Sequence, residues 1–110
     1  MKLNLAELPK TRLSEAVSRR VARGEKLELL VYEYAPGARF GVHQHDSEQL
    51  TIVLSGTLVF TFDDGEVPVS AGEAIIIPGG KAHGAFVPHD VAETRTYNVF
   101  TPVRGELPQG

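Results

Sequence analysis

The residues able to do chemistry are gathered in two short stretches. The first runs Gly37-Ala38-Arg39-Phe40-Gly41-Val42-His43-Gln44-His45-Asp46-Ser47-Glu48-Gln49, with two histidines two apart and a carboxamide four residues on. If this segment is extended, His43 and His45 project to one face and Gln44 to the other. Two imidazoles on one strand face can share a metal ion. The second stretch, Gly72-Glu73-Ala74-Ile75-Ile76-Ile77-Pro78-Gly79-Gly80-Lys81-Ala82-His83, delivers a third histidine after an apolar strand and a tight turn. An isolated His-x-His pair reads equally well as two surface side chains. Here Gly37 and Gly56 bound the pair with turns, and His83 stands behind Gly72, Pro78 and Gly80, so three of the four histidines fall in framed stretches. The chain has no cysteine, so imidazole, amide or carboxylate would have to hold any metal.

The rest of the chain must bring these stretches together. Strands are expected over residues 15–22, 27–34, 39–44, 48–54, 57–62, 67–70, 73–77, 82–87 and 94–101, separated by turn signals. Thr57 to Phe62 alternates, with Leu58, Phe60 and Phe62 on one face, and Asp64-Gly65 marks a hairpin. Residues 3–15, with Pro9, read as a short helical turn or an irregular arm. No segment after residue 24 has a helical apolar period, which argues an all-β sandwich or barrel. A closed sheet would remove exposed edges.

Composition narrows the function classes. At 110 residues and 42% hydrophobic content the chain suits one modest core. A net charge of -3, with no basic cluster beyond Arg19-Arg20, argues against nucleic-acid binding. No apolar run reaches the length of a membrane span. Met1 to Glu7 lacks the apolar core of a secretory leader, so a cytoplasmic location is expected.

The two stretches resemble the motifs of the cupin superfamily. The first family motif reads Gly, five residues, His-x-His, three or four residues, Glu, six residues, Gly. Here it is Gly37, His43, His45, then Gln49 where Glu usually stands, then Gly56. The second reads Gly, five residues, Pro-x-Gly, two residues, His, three residues, Asn. Here it is Gly72, Pro78, Gly80, His83, with Val87 in place of Asn. The resemblance implies a single all-β cupin barrel of jelly-roll type with roughly nine to eleven short antiparallel strands. It implies one domain over residues 1–110, with an arm over about 1–15 and a tail over about 102–110, and a homodimer. It further implies one divalent metal ion held by His43, His45, Gln49 and His83. Zn, Ni, Mn, Fe and Co are all compatible with such a set. Glu48 is one residue short of the ligand spacing and should face the other way; the reading in which Glu48 binds and Gln49 is a plain strand residue stands beside it.

A closer similarity, over about residues 16 to 107, is to the small KdgF-type cupins of pectin and alginate breakdown. It rests on Glu48-Gln49 after His-x-His, on His83-Gly84, and on Asn98-Val99-Phe100-Thr101-Pro102-Val103-Arg104. That family converts 4,5-unsaturated uronate monomers to linear keto forms. The similarity implies an anionic sugar acid as the small-molecule partner and a site completed by Asn98, Phe100 and Arg104. Arg104 would fork a substrate carboxylate; Phe100 would wall the sugar ring. Asn98 stands where the family has an aspartate, and an amide cannot accept a proton as a carboxylate can. Read without the family, Phe100 is a core residue, Arg104 a solvated side chain and Asn98 a bond to backbone. Two other functions compete: a metal-dependent dioxygenase and a non-catalytic metal or small-molecule binding module.

Overall fold

The alternating stretches form ten strands in a computed structural model that describes residues 1–103. They are β1 Lys10–Arg12, β2 Val17–Arg23, β3 Glu28–Tyr34, β4 Arg39–His43, β5 Glu48–Ser55, β6 Thr57–Phe62, β7 Gly65–Ser70, β8 Ala74–Ile77, β9 His83–Phe86 and β10 Thr94–Thr101. Every pairing is antiparallel. Six strands form one sheet in the order β1-β2-β3-β10-β5-β8, and four form a second in the order β4-β9-β6-β7. The jelly roll therefore closes by packing two sheets face to face and not by one continuous ladder. No helix among the described residues is long and apolar enough to cross a membrane.

Period-two alternation decides what enters the interior. From β3, Glu28, Leu30, Tyr32 and Tyr34 are buried; from β10, Thr94, Thr96, Asn98 and Phe100; from β5, Gln49, Thr51 and Val53. The registers line these side chains up in rows across the large sheet. One row runs Leu30, Asn98, Thr51, Ile75, and the next runs Glu28, Phe100, Gln49, Ile77. The small sheet supplies Leu58, Phe60 and Ala85. Tyr32 and Tyr34 stack at 5.3 Å, and Phe40 meets both edge-on.

The N-terminal arm is more ordered than its sequence suggests. After a 3-10 turn at Leu5–Glu7, β1 pairs with β2. Its three residues are all exposed, so no apolar period marks it. Long side chains hold it instead. Arg20 donates to the carbonyls of Ala6 and Leu8, and Lys10 lies 2.9 Å from Glu33, holding that carboxyl below its usual range.

The β5–β6 corner depends on Gly56. Its φ is +75°, and a Cβ there would lie 2.8 Å from Thr94 Cα. Thr94 clamps the same corner, accepting from the Thr57 N–H at 3.1 Å. Gly56→Ala combines left-handed strain with a backbone clash and should cost at least about 2 kcal/mol. Urea unfolding of the variant checks this; an unchanged midpoint would mean that the corner relaxes freely.

Candidate metal centre

β4 changes parity just before it reaches the site. Arg39 and Phe40 pair with Phe86 and Ala85, but His43 pairs with His83, so β4 carries one extra residue between Phe40 and His43. The bulge turns Val42 out to solvent, 72% exposed, and brings His43 to the same cavity as Phe40. Gly84 makes room for it: a Cβ at Gly84 would lie 3.0 Å from the Phe40 carbonyl oxygen and 2.8 Å from Thr61 Oγ1. β4 ends at His43, so His45 belongs to the following loop and not to an extended face. The Gly80 N–H donates to the His45 carbonyl at 2.7 Å, joining that loop to the turn before His83. Gln49 enters from β5, on the opposite sheet.

The three imidazoles converge. Ring centroids lie 4.6 Å apart for His43 and His83, 5.2 Å for His45 and His83, and 5.7 Å for His43 and His45. Each ring has Nδ1 beside a backbone carbonyl: Gly41 at 3.0 Å for His43, Ser47 at 2.9 Å for His45 and Lys81 at 2.8 Å for His83. A carbonyl can only accept, so each Nδ1 carries a proton, and in the neutral imidazole each Nε2 then presents a bare lone pair. Nε2 of His43 and of His83 is buried without a hydrogen-bond partner. His45 Nε2 faces Gln49 Oε1 at 3.1 Å, acceptor against acceptor. Lone pairs turned toward one another in this way suit a cation between them.

The donor atoms of the three histidines lie within 4.8 Å of one another. Nitrogens sharing one ion tetrahedrally at about 2.1 Å lie about 3.4 Å apart, so the widest pair must close by about 1.4 Å to hold one. Gln49 is buried and Glu48 is exposed, paired with Thr101 at the edge of the row. Of the two, it is Gln49 whose side chain reaches the imidazoles.

Beside the histidines is a small cavity walled by Tyr32, Tyr34, Phe40, Leu58 and Phe60 together with His43, Gln49, His83 and Asn98. Tyr32 and Tyr34 are both buried and both line it. Burial pushes the Tyr34 phenol well above its usual range. Thr96 donates to its oxygen at 3.4 Å. Thr51 and Thr96 went unnoticed in the sequence, although each is two residues from a candidate site residue and so shares its face.

The remaining sequence candidates divide. Asn98 borders the cavity, but its amide is bonded to Thr51, Leu30 and Thr96. Phe100 is fully buried and meets the His45 ring edge-on at 5.3 Å, so it backs that imidazole and does not wall the cavity. Arg104 lies outside the described residues. His89 is exposed beyond Phe86, at the end of β9 away from His83. Arg39 and Lys81 sit over the rings of Phe86 and Phe62, at 5.3 Å and 5.0 Å.

Burial holds the His83 imidazole below its usual value of 6.5, and the neighbouring imidazoles add to this, against the Lys81 carbonyl, which favours the charged form. A depressed folded value means that the unfolded chain binds the proton more readily. Stability of the metal-free protein is thus full above about 6.5 and falls as pH drops through the lower folded value. Urea midpoints between about pH 7.5 and about pH 5.5 should fall for the wild type and fall less for His83→Gln. Parallel slopes would remove His83 as the cause.

Comparison with known proteins agrees with this architecture. No curated protein matches the chain in sequence. The chain is similar in structure to KdgF from Halomonas sp., with a TM-score of 0.81 and 22% identity over 91% of each chain. An RmlC-like cupin from Shewanella frigidimarina superposes at 0.80, with 21% identity over 91% of this chain and 88% of that one. The polyketide cyclase RemF from Streptomyces resistomycificus superposes at 0.79, with 20% identity over 99% and 87%. At such identities the likeness is one of fold. The family model described as the cupin domain matches residues 30–100, from the middle of β3 to the inward Phe100 of β10. Both histidine stretches and the strands that join them lie inside that match, and the chain belongs to the cupin family.

Proposed function

We propose that this protein is a metal-dependent isomerase that opens and ketonises a small unsaturated uronate or related sugar acid. The observation that carries the reading is the neutral donor set at the cavity floor, three bare Nε2 atoms and one amide oxygen. With no carboxylate among them, these donors leave a bound divalent ion its full positive charge. That ion supplies Lewis-acid polarisation of a substrate oxygen and stabilises the charge that develops there. His43, His45, Gln49 and His83 are the proposed ligands.

The reaction is a net isomerisation. Ring opening breaks the bond between the anomeric carbon and the ring oxygen and passes the hydroxyl proton to that oxygen, giving an aldehyde and an enol. Ketonisation then moves the enol proton to the adjacent carbon. The chain's own groups orient the substrate for this. Tyr34 stays protonated and accepts from Thr96, so its own hydrogen can be donated to a ligand oxygen. Phe40, Leu58 and Phe60 exclude water beside the ring. Phe100 keeps His45 in place. Arg104 is assigned the substrate carboxylate, following the KdgF-type resemblance.

A second reading is favoured by one observation. No acidic residue, lysine or arginine is among the described residues lining the cavity, and most of the lining is aromatic or aliphatic. A flat apolar substrate would suit such walls, as in a metal-dependent dioxygenase, and so would a binding role without turnover.

For the expected homodimer, the interface we propose is the outer face of the large sheet. There Leu54 and Ile76 are exposed beside half-buried Leu50, Ile52, Tyr97 and Val99. Light scattering should give twice the chain mass for the wild type and the single-chain mass for Leu54→Glu with Ile76→Glu. A monomeric wild type would remove this placement.

The decisive assay adds 4,5-unsaturated uronates from a pectate or alginate lyase to metal-loaded protein. Loss of the ultraviolet absorbance of the conjugated double bond should outpace the spontaneous rate. The acceleration should vanish with a chelator and in His83→Ala, and Arg104→Ala should raise KM. No acceleration by fully loaded protein, with oxygen uptake on a catechol instead, would replace this reading with the second.

A further inference from the structure

Buried polar groups beneath the metal centre form a one-way chain, and its direction is fixed at one backbone atom. The Leu30 carbonyl can only accept, so the Asn98 atom 3.2 Å from it is the amide nitrogen. The same nitrogen donates to Thr96 Oγ1 at 2.8 Å. Asn98 Oδ1 is left as an acceptor, and the Thr51 hydroxyl fills it at 2.7 Å. A hydroxyl has a single proton, so Thr51 can only accept from its other neighbour. Gln49 therefore turns its NH2 group to Thr51, at 2.9 Å. Oε1 is the Gln49 atom that remains toward His45 Nε2.

We propose that Asn98 is a positioning residue: anchored on the Leu30 carbonyl, its amide dictates through Thr51 that Gln49 offers oxygen, not nitrogen, to the cation. The inference rests on the metal-centre reading and gives Asn98 a part that needs no proton transfer. It also explains the amide at this position. An aspartate would set a carboxylate oxygen against the Leu30 oxygen, acceptor to acceptor, and break the chain at its anchor. Thr51, the middle member, is fully buried and off the cavity wall, so water does not take over its place between Asn98 and Gln49.

The test uses the isosteric change Thr51→Val, which frees the Gln49 amide to turn over. Co(II) is titrated into metal-free full-length wild type, Thr51→Val, Gln49→Glu and the double variant Gln49→Glu with Thr51→Val. Calorimetry gives the affinity and visible absorption the ligand field. Thr51→Val should weaken Co(II) binding by about 10–100-fold, as for other partners that orient a ligand, and should change the spectrum. A carboxylate presents oxygen whichever way it faces, so in the Gln49→Glu background the same change should leave affinity and spectrum as they were. Equal losses in both backgrounds, or none in either, would overturn the orienting role while leaving the metal centre in place. A wild type that binds no Co(II) would overturn the metal-centre reading and this one with it. If Thr51→Val does not fold, Asn98→Asp reports on the same anchor: Co(II) binding as tight as in the wild type overturns the proposal.

Discussion

The candidate centre depends on a commitment made by backbone. Three carbonyls, of Gly41, Ser47 and Lys81, each take the Nδ1 proton of a histidine two residues away. That local bond selects the tautomer, orients the ring and leaves Nε2 bare. None of the three carbonyls lies inside a regular ladder pair with its histidine, so each needs a departure from the ideal strand. The departures are the β4 bulge, the loop after β4 and the turn before β9. The fold contributes irregularity at the points where chemistry is placed, and regular strands carry those points to a common end of the sandwich.

The interior beneath the site is unusual for a small β protein. Gln49, Thr51, Thr96 and Asn98 occupy inward positions that apolar side chains could fill, and Glu28 is fully buried beside Arg23 at 3.0 Å. Such a row is stable only when its members satisfy one another, because an unpaired buried donor or acceptor costs about 1–3 kcal/mol. The registers of β3, β10 and β5 place these residues side by side, and the hydrogen bonds run along them. Sheet pairing thus does for the fourth ligand what local backbone does for the three histidines.

Much of this was legible in the sequence, and the gaps have physical causes. Strand alternation and turn signals located nine of the ten strands, because the buried faces of β3, β5 and β10 repeat every second residue. β1 escaped because Lys10, Thr11 and Arg12 are all exposed and are held by pairing and by Arg20. The spacing of His43, His45 and His83 pointed to their meeting, but a flat strand cannot bring Phe40 and His43 to one cavity. The extra residue in β4 does so, and only Gly84 across the ladder hints at it. Period two placed Asn98 and Phe100 on one face, correctly. It could not say that their surroundings differ, Asn98 bonding Thr51 beside the cavity and Phe100 meeting the His45 ring. Two of the three partners of Asn98 sit 68 and 47 residues away, on other strands, where no local pattern reaches.

The ligands also differ in where they are anchored. His43 and His83 stand on the four-stranded sheet, whereas Gln49 stands on the six-stranded one. No hydrogen-bonded ladder joins the two sheets among the described residues. An ion shared by these side chains would therefore act as a rivet through the sandwich. Loading it would couple the two sheets: breathing between them and departure of the ion would become a single event.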